Sequence, residues 1–450
     1  MPSIRSISWT LLAAGGFALV LSANRTAAQP GKDELPKPPP NVFAFKDNAG
    51  TDLKKAKDAF AAYAKYNAEY IAHPRVYSTP QEFVPPKGPP VLSTEALIND
   101  MSRSILVPLP DSKPLIGPDN ADYIRELGTA LDTELKTVIE RSSVPVVRLN
   151  ATRMLAAACR SGAQIHYGTV TGLITNPNTP PDVKFYAFQA AGNLLAAYDL
   201  NDYQSRKHSN KPKEVSDLIA ALQNAITKPG AIIPAPPAGG TLAPEQVDVL
   251  TFIRRQAIRA LGQARFSEKI PGGPEQYPGF TLAQVATSDP AISPAPTETE
   301  VAEAVIGLCN MAPPSKSAEK EPYAFAMADA VATGITTFAT RRAAAPLDKT
   351  LAWRSYGARM SDALKGWKPL FDPAFDPKKP TTFSAASVPK PIEDLATDAE
   401  NRVLRPMYEA NGTVEVNMLK QFRDNSLRGD KKWTLSPFVS NPKLTLAKRN

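Results

Sequence analysis

Two cysteines and three histidines are all that 450 residues supply of the side chains most often used to bind transition metals or to shuttle protons near neutral pH. A zinc site draws on a cluster of Cys, His or carboxylate groups. His73, His166 and His208 stand far apart and have no second ligand at helical spacing. No Gly-x-Ser-x-Gly elbow, phosphate-cradling glycine loop or Cys-x-x-Cys-His haem attachment occurs. Asp199-Leu200-Asn201-Asp202 opens like a calcium loop but lacks its glycine and closing glutamate. The expectation is therefore a protein that is not an enzyme, with no catalytic residue, metal ligand or cofactor to name. His166 is the one histidine retained as a candidate binding residue.

Long apolar runs are nearly as scarce. The run Ile7 to Ala23 follows Arg5 and leads to Thr26-Ala27-Ala28. A charged start, a short hydrophobic core and small residues before a cut describe a signal peptide over residues 1–28, and the run is a little short to span a bilayer. No cysteine follows it for a lipid anchor, and no twin-arginine pair precedes it. The expectation is export by the general secretory route to a bacterial periplasm or beyond, with no transmembrane span after cleavage. Cys159 and Cys309 could then pair. They lie at least three repeats apart along the reading below, and a disulfide needs Cα atoms within about 7 Å. Buried free thiols are expected.

Residues alternating with period two are also few, so strands should be scarce. Proline is abundant instead. There are 45, one residue in ten, against a usual share of roughly 5%. They fall between the periodic segments, which predicts many short helices joined by stiff loops.

The most informative positive feature is a repeat. Val147-Arg148 is followed by Ala151 and Met154-Leu155. Val183-Lys184 is followed by Ala187 and Ala190-Ala191-Gly192. Ile253-Arg254 is followed by Ala257 and Ala260-Leu261-Gly262. From Val147 to Val183 is 36 residues and from Val183 to Ile253 is 70, close to twice as many. Each copy places small or apolar residues at i, i+4, i+7 and i+8, one face of a helix. The cation is expected to snorkel off that face. Gly192 and Gly262 are expected to remove a Cβ at a close helix–helix crossing. Pro145 and Pro181 stand where a helix start tolerates a missing N–H.

This pattern resembles the HEAT-repeat family, whose first helix often reads Pro-x-Val-Arg-x-x-Ala-x-x-Ala-Leu-Gly. The copy at Ile253 fits at Ile253, Arg254, Ala257, Ala260, Leu261 and Gly262. The second has Lys184 for Arg and Ala191 for Leu, and the first has Met154 for Ala and no Gly. The match covers Pro145 to about Gln263. The resemblance implies a right-handed α-solenoid of stacked helical hairpins with Pro-rich loops, and it implies a shape rather than an activity. Between the copies, Val215, Leu218, Ile219, Leu222 and Ile226 predict one second helix, and Ile165, Val170, Leu173 and Ile174 another. Val301, Val305 and Leu308 predict the second helix of the third hairpin. The stretches Gly230 to Pro244 and Gly272 to Pro296 read as loop insertions on one edge.

The organisation expected is a Pro-rich leader at 29–52, an N-terminal helical region at 53–117, the repeat solenoid at 118–345, a C-terminal helical region at 346–425 and a basic tail at 426–450. Phe60, Tyr63, Tyr66, Tyr70 and Ile71 form an aromatic packing stripe in the first helical region. Ile124, Leu127, Leu131, Leu135, Val138 and Ile139 mark a strongly amphipathic helix, capped by Asp119 or Asn120. Met327, Val331, Ile335 and Phe338 mark another, and Trp353, Tyr356, Met360, Leu364 and Trp367 a further one. Net charge is +8, and losing Arg5 and Arg25 with the signal leaves +6. Residues 401–450 hold ten Lys and Arg against four Asp and Glu, also +6. Arg428, Lys431, Lys432 and Trp433 form a basic-aromatic cluster suited to polyanions.

Three functions follow as expectations. The first is a non-catalytic binding scaffold that holds an unidentified protein partner on its inner, second-helix face or edge loops. The second is binding of a polyanion (acidic polysaccharide, lipid headgroups or nucleic acid) through the tail. The third is an enzyme in the solenoid groove, which calls for titratable residues converging in one pocket with perturbed pKa values.

Overall fold

The computed structural model describes residues 35–39, 41–45, 53–77, 92–105, 121–163, 165–198, 212–233, 241–266, 277–313, 317–343, 350–371, 388–409, 414–429, 433–434 and 447–448. The predicted signal segment, the cap at Asp119 or Asn120, the loop at Asp199, His208, Lys431 and Lys432 lie outside them. The described residues are all-α, apart from the antiparallel pair Trp433–Thr434 with Ala447–Lys448 and one isolated bridge, Phe266 to Ala312. The helices are α1 Leu53–Ile71, α2 Pro74–Tyr77, α3 Thr94–Ile105, α4 Ala121–Arg141, α5 Pro145–Ala158, α6 His166–Thr175, α7 Pro181–Ala197 and α8 Pro212–Thr227. They continue with α9 Pro244–Leu261, α10 Pro278–Ala286, α11 Glu298–Cys309, α12 Ser317–Ala343, α13 Thr350–Trp367, α14 Lys390–Ala399, α15 Arg405–Tyr408 and α16 Val416–Phe422. No helix among the described residues is long and apolar enough to cross a membrane.

The proline excess has a local cause. Helices α5, α7, α8, α9 and α10 all begin on proline. The first helical position needs no N–H donor, and the ring presets φ for the helix. The apolar stripes then decide the packing. Val147, Ala151, Val183, Ala187, Ile253, Ala257 and Leu261 are buried, as are the aromatic residues Phe60, Tyr63 and Tyr70 of α1. Each fully buried Val, Leu or Ile contributes about 1.5–3 kcal/mol over exposure.

The helices pack in two rows. In one row α5 touches α7, α7 touches α9, α9 touches α11 and α11 touches α13. In the other, α4 touches α6, α6 touches α8, α8 touches α10 and α10 touches α12. The rows face each other, with α4 on α5, α6 on α7, α8 on α9 and α10 on α11. Helices α1 and α3 close one end, and α14 to α16 pack on α12 and α13 at the other. Glycine sets the spacing in the first row. A Cβ on Gly192 would lie 3.2 Å from the Cα of Ala260, and one on Gly262 would lie 2.8 Å from the Cα of Gly307.

Three expectations need correction. Val301, Val305 and Leu308 lie on α11, which packs against α9 in the first row and is not the second helix of the third hairpin. Helix α10 follows α9 in the chain, within the stretch read as a loop insertion, and packs mainly on α11. Proline and glycine density hid a nine-residue helix that is apolar nearly all round, with Leu282, Ala283 and Val285 buried. Nor do two of the three motif cations, Lys184 and Arg254, snorkel outward. Arg254 and Lys184 are each 1% exposed. Arg254 donates from Nε and Nη2 to both oxygens of Glu300 at 2.7 and 2.9 Å, and from Nη1 to the Pro294 carbonyl at 2.9 Å. Lys184 donates to the Ala231 carbonyl. These connections fold back over the hairpins because they satisfy the buried cations, each of which would be costly without a partner. Cys159 and Cys309 are buried free thiols.

Candidate functional site

The residues of α7 and α9 that miss the buried stripe form a continuous outer face. Phe252 is 52% exposed and Val249 43%. The Phe252 ring stacks on Phe185 of α7 with centroids 5.1 Å apart and planes at 8°. Arg255 lies over Phe252, and Arg153 of α5 over Tyr186, at 5.4 and 5.8 Å from the ring centroids. One turn further along, Gln189 follows Phe185 and Gln256 follows Phe252, the i+4 neighbours on the same face.

Beyond them the face opens into a cavity of about 210 Å³, lined from α7, α9, α11 and α13. Its lining includes Gly192, Ala260, Gly262 and Gly307, the residues of the close crossings. Its walls carry the carboxamides of Gln189, Asn193, Gln256, Gln263 and Asn310. Asn193 donates from Nδ2 to the Ala156 carbonyl at 2.7 Å, satisfying an otherwise orphaned group at the end of α5.

At the far wall stands Glu303, with a side chain only 2% exposed. Its Oε1 accepts from Arg259 Nε at 2.7 Å, from Arg359 Nη1 at 2.9 Å and from the Tyr356 hydroxyl at 3.0 Å. Arg359 Nη2 reaches Oε2 at 2.9 Å, making that pair bidentate. Burial pushes the Glu303 carboxyl up, but the hydrogen bonds and charges of Arg359 and Arg259 outweigh it and hold the group below its ordinary value. Burial lowers Arg259, and its bonds to Glu303 more than restore it. The bond to Glu303 raises Arg359, and burial raises the Tyr356 phenol.

Titratable groups thus converge in one pocket, as the enzyme reading required. Every shift, however, drives a group further into the form it already has at neutral pH. The cluster offers fixed charge rather than proton transfer near neutrality. Two guanidinium groups on one carboxylate leave one positive charge uncancelled at the groove.

The residues named from sequence lie elsewhere. His166, on α6 in the second row, is fully buried. Its Nδ1 lies 2.8 Å from Asp132 Oδ1, and Thr169 donates to Asp132 Oδ2 at 2.7 Å, so this network joins α6 to α4 inside the core. His73 accepts from the Arg75 amide at 3.2 Å. Arg428 donates to both oxygens of Asp329 on α12 at 2.8 and 3.1 Å. Trp433 is paired by its backbone with Lys448. Val147, Val183 and Ile253 and their copies' alanines are core, while Arg148 is half-buried. Among the described residues, no group of three or more His, Cys, Asp or Glu is placed to hold a metal ion. Residues of the groove that the sequence reading passed over had one visible signal. Val249 and Phe252, beside the groove, are apolar at i, i+3 on α9 and lie off its core stripe.

Comparison with known protein families, with curated proteins and with solved structures finds no match for this chain, so no family is assigned and the likeness to HEAT repeats rests on the repeat residues themselves.

Proposed function

We propose that the chain is an exported, non-catalytic binding scaffold. It is a right-handed α-solenoid of HEAT-like hairpins that holds a protein partner on the outer face of its first row, at α7 and α9. The two-row packing supports the solenoid, because each helix packs chiefly on the next helix of its own row and on the helix facing it. The observation that carries the binding role is Phe252, half exposed and stacked on Phe185 above a polar groove. Aromatic side chains with arginine beside them are the residues that anchor protein interfaces. The partner face is that of the row holding α7 and α9, whereas the sequence alone pointed to the helices following the motif copies or to the edge loops.

Polyanion binding through the tail is the second reading, favoured by the charge collected after residue 400. Arg428 is committed to Asp329, which leaves the lysines beyond it as the carriers.

Affinity capture from the native exported fraction separates the two. Residues 29–450 and 29–429 serve as paired baits at low and moderate salt. The cut falls after 429 because Leu427 is 1% exposed and Arg428 is ion-paired. A protein held by both baits and resistant to salt supports the scaffold. Capture lost with the tail or with salt makes polyanion binding the primary function, since such binding weakens steeply with salt.

A further inference from the structure

We infer that the groove along α7 and α9 binds an extended polypeptide segment carrying a bulky apolar side chain and, three residues away, a carboxylate. This rests on the scaffold reading and names the partner's chemistry at its site.

Three features on one face meet at the right spacing. Phe252 and Phe185 offer a stacked, half-open apolar platform at one end. Arg259 and Arg359 stand at the other, sharing the single buried carboxylate of Glu303 and leaving one positive charge over. Both arginine side chains keep contact with solvent, at 38% and 41% exposure. Phe252 and Arg259 are seven residues apart on one helix, about 10 Å along its axis. Three residues of extended chain span about 10 Å.

Between the two ends the groove presents carboxamides. Each amide side chain carries a donor and an acceptor, the complement of a peptide backbone. Gln189 and Asn193 are four residues apart on α7, about 6 Å along the axis, close to the roughly 6.6 Å between alternate residues of a strand-like segment. The cavity of about 210 Å³ is smaller than the 300–1,000 Å³ of a usual small-molecule site. It suits one side chain and a stretch of backbone.

The test is selection of a displayed random dodecapeptide library on residues 29–450, followed by affinity measurement for the enriched peptides. The expected result is enrichment of an aromatic or bulky aliphatic residue three positions from Asp or Glu. Binding should fall about 30-fold with Phe252→Ala, the scale of an interface anchor. Gln256→Ala, which alters no buried group, should weaken it to a lesser extent, and Arg359→Gln should remove the preference for the acidic residue. Peptides that enrich without this pattern overturn the inference while leaving the scaffold reading intact, and peptides that ignore Phe252→Ala overturn the inference together with the placement of binding on this face. No enriched peptide, with binding of polygalacturonate oligomers instead, overturns the inference in favour of an acidic sugar. No peptide enrichment together with no salt-resistant protein capture overturns both readings.

Discussion

Gly262 and Gly307 meet backbone to backbone where α9 crosses α11, and a Cβ built on either would lie 2.8 Å from the other's Cα. The obstruction is main chain, so no rotamer change relieves it and the two helices must move apart. Gly262→Ala and Gly307→Ala are each expected to destabilise the fold by about 1–3 kcal/mol through overpacking, despite a gain in helix propensity of about 1 kcal/mol at Gly307, inside α11. Gly168 on α6 meets nothing within 4 Å of an added Cβ. Gly168→Ala should therefore be neutral or stabilising. Urea denaturation of the three variants checks the contrast.

Arg254 and Glu300 form an enclosed pair, with side chains 1% and 0% exposed. Arg254→Met removes one partner and leaves a buried carboxylate without its counter-charge, a change that costs about 3–5 kcal/mol. Replacing both, Arg254→Met with Glu300→Leu, should recover most of that loss. Glu300 also accepts from the Thr297 amide at 2.8 Å, closing the cap of α11. The double variant should stay below the natural chain by about 1 kcal/mol for the lost cap. Thermal unfolding of the single and double variants gives the coupling.

Acid should weaken the molecule through Glu303. Its carboxyl is held below its ordinary value of 4.5, so the folded state favours the ionised form more than the unfolded chain does. Such a group contributes stability that is present above the unfolded pKa and lost as pH falls through the folded one. The loss should begin below about pH 4.5. Glu400, also held low, adds to the same slope. Glu303→Gln should lower stability at pH 7 and flatten, without abolishing, the decline below pH 4.5. Denaturant midpoints from pH 3 to pH 7 measure it.

Burial pushes both thiols up, Cys159 well above its ordinary range and Cys309 likewise. The thiolate is the reactive form. Neither should react with a maleimide in the folded protein at pH 8, and both should be labelled fully in denaturant. Mass spectrometry of native and unfolded samples counts them.

How much the sequence disclosed depended on how local the signal was. Helix α8 was visible because Val215, Leu218 and Ile219 share one face opposite charged residues. Helix α10 was hidden because nine nearly all-apolar residues between prolines and glycines show no amphipathic period. The buried roles of Lys184 and Arg254 were hidden for another reason. Their partners Ala231 and Glu300 lie 47 and 46 residues away in sequence, and only the packing of one hairpin on the next brings them together. Glu303 is the same case, joined to Arg259 and Arg359 across separations of 44 and 56 residues. Gly262 was legible as a crossing, but its partner Gly307 was not, since α11 carries no Arg at the matching motif position.

The most direct test of the α7–α9 face is capture from native extracts by residues 29–450 with Phe252→Ala and Gln256→Ala, beside the unaltered chain. Phe252 is half-exposed and Gln256 partly so, and the lost Phe185 stack and Arg255 contact should weaken folding by no more than about 2 kcal/mol, with thermal unfolding showing that the substituted chain stays folded. Loss of the salt-resistant protein partner from the doubly substituted chain is the predicted result. Retention of that partner by both chains would contradict the account and place binding elsewhere on the molecule.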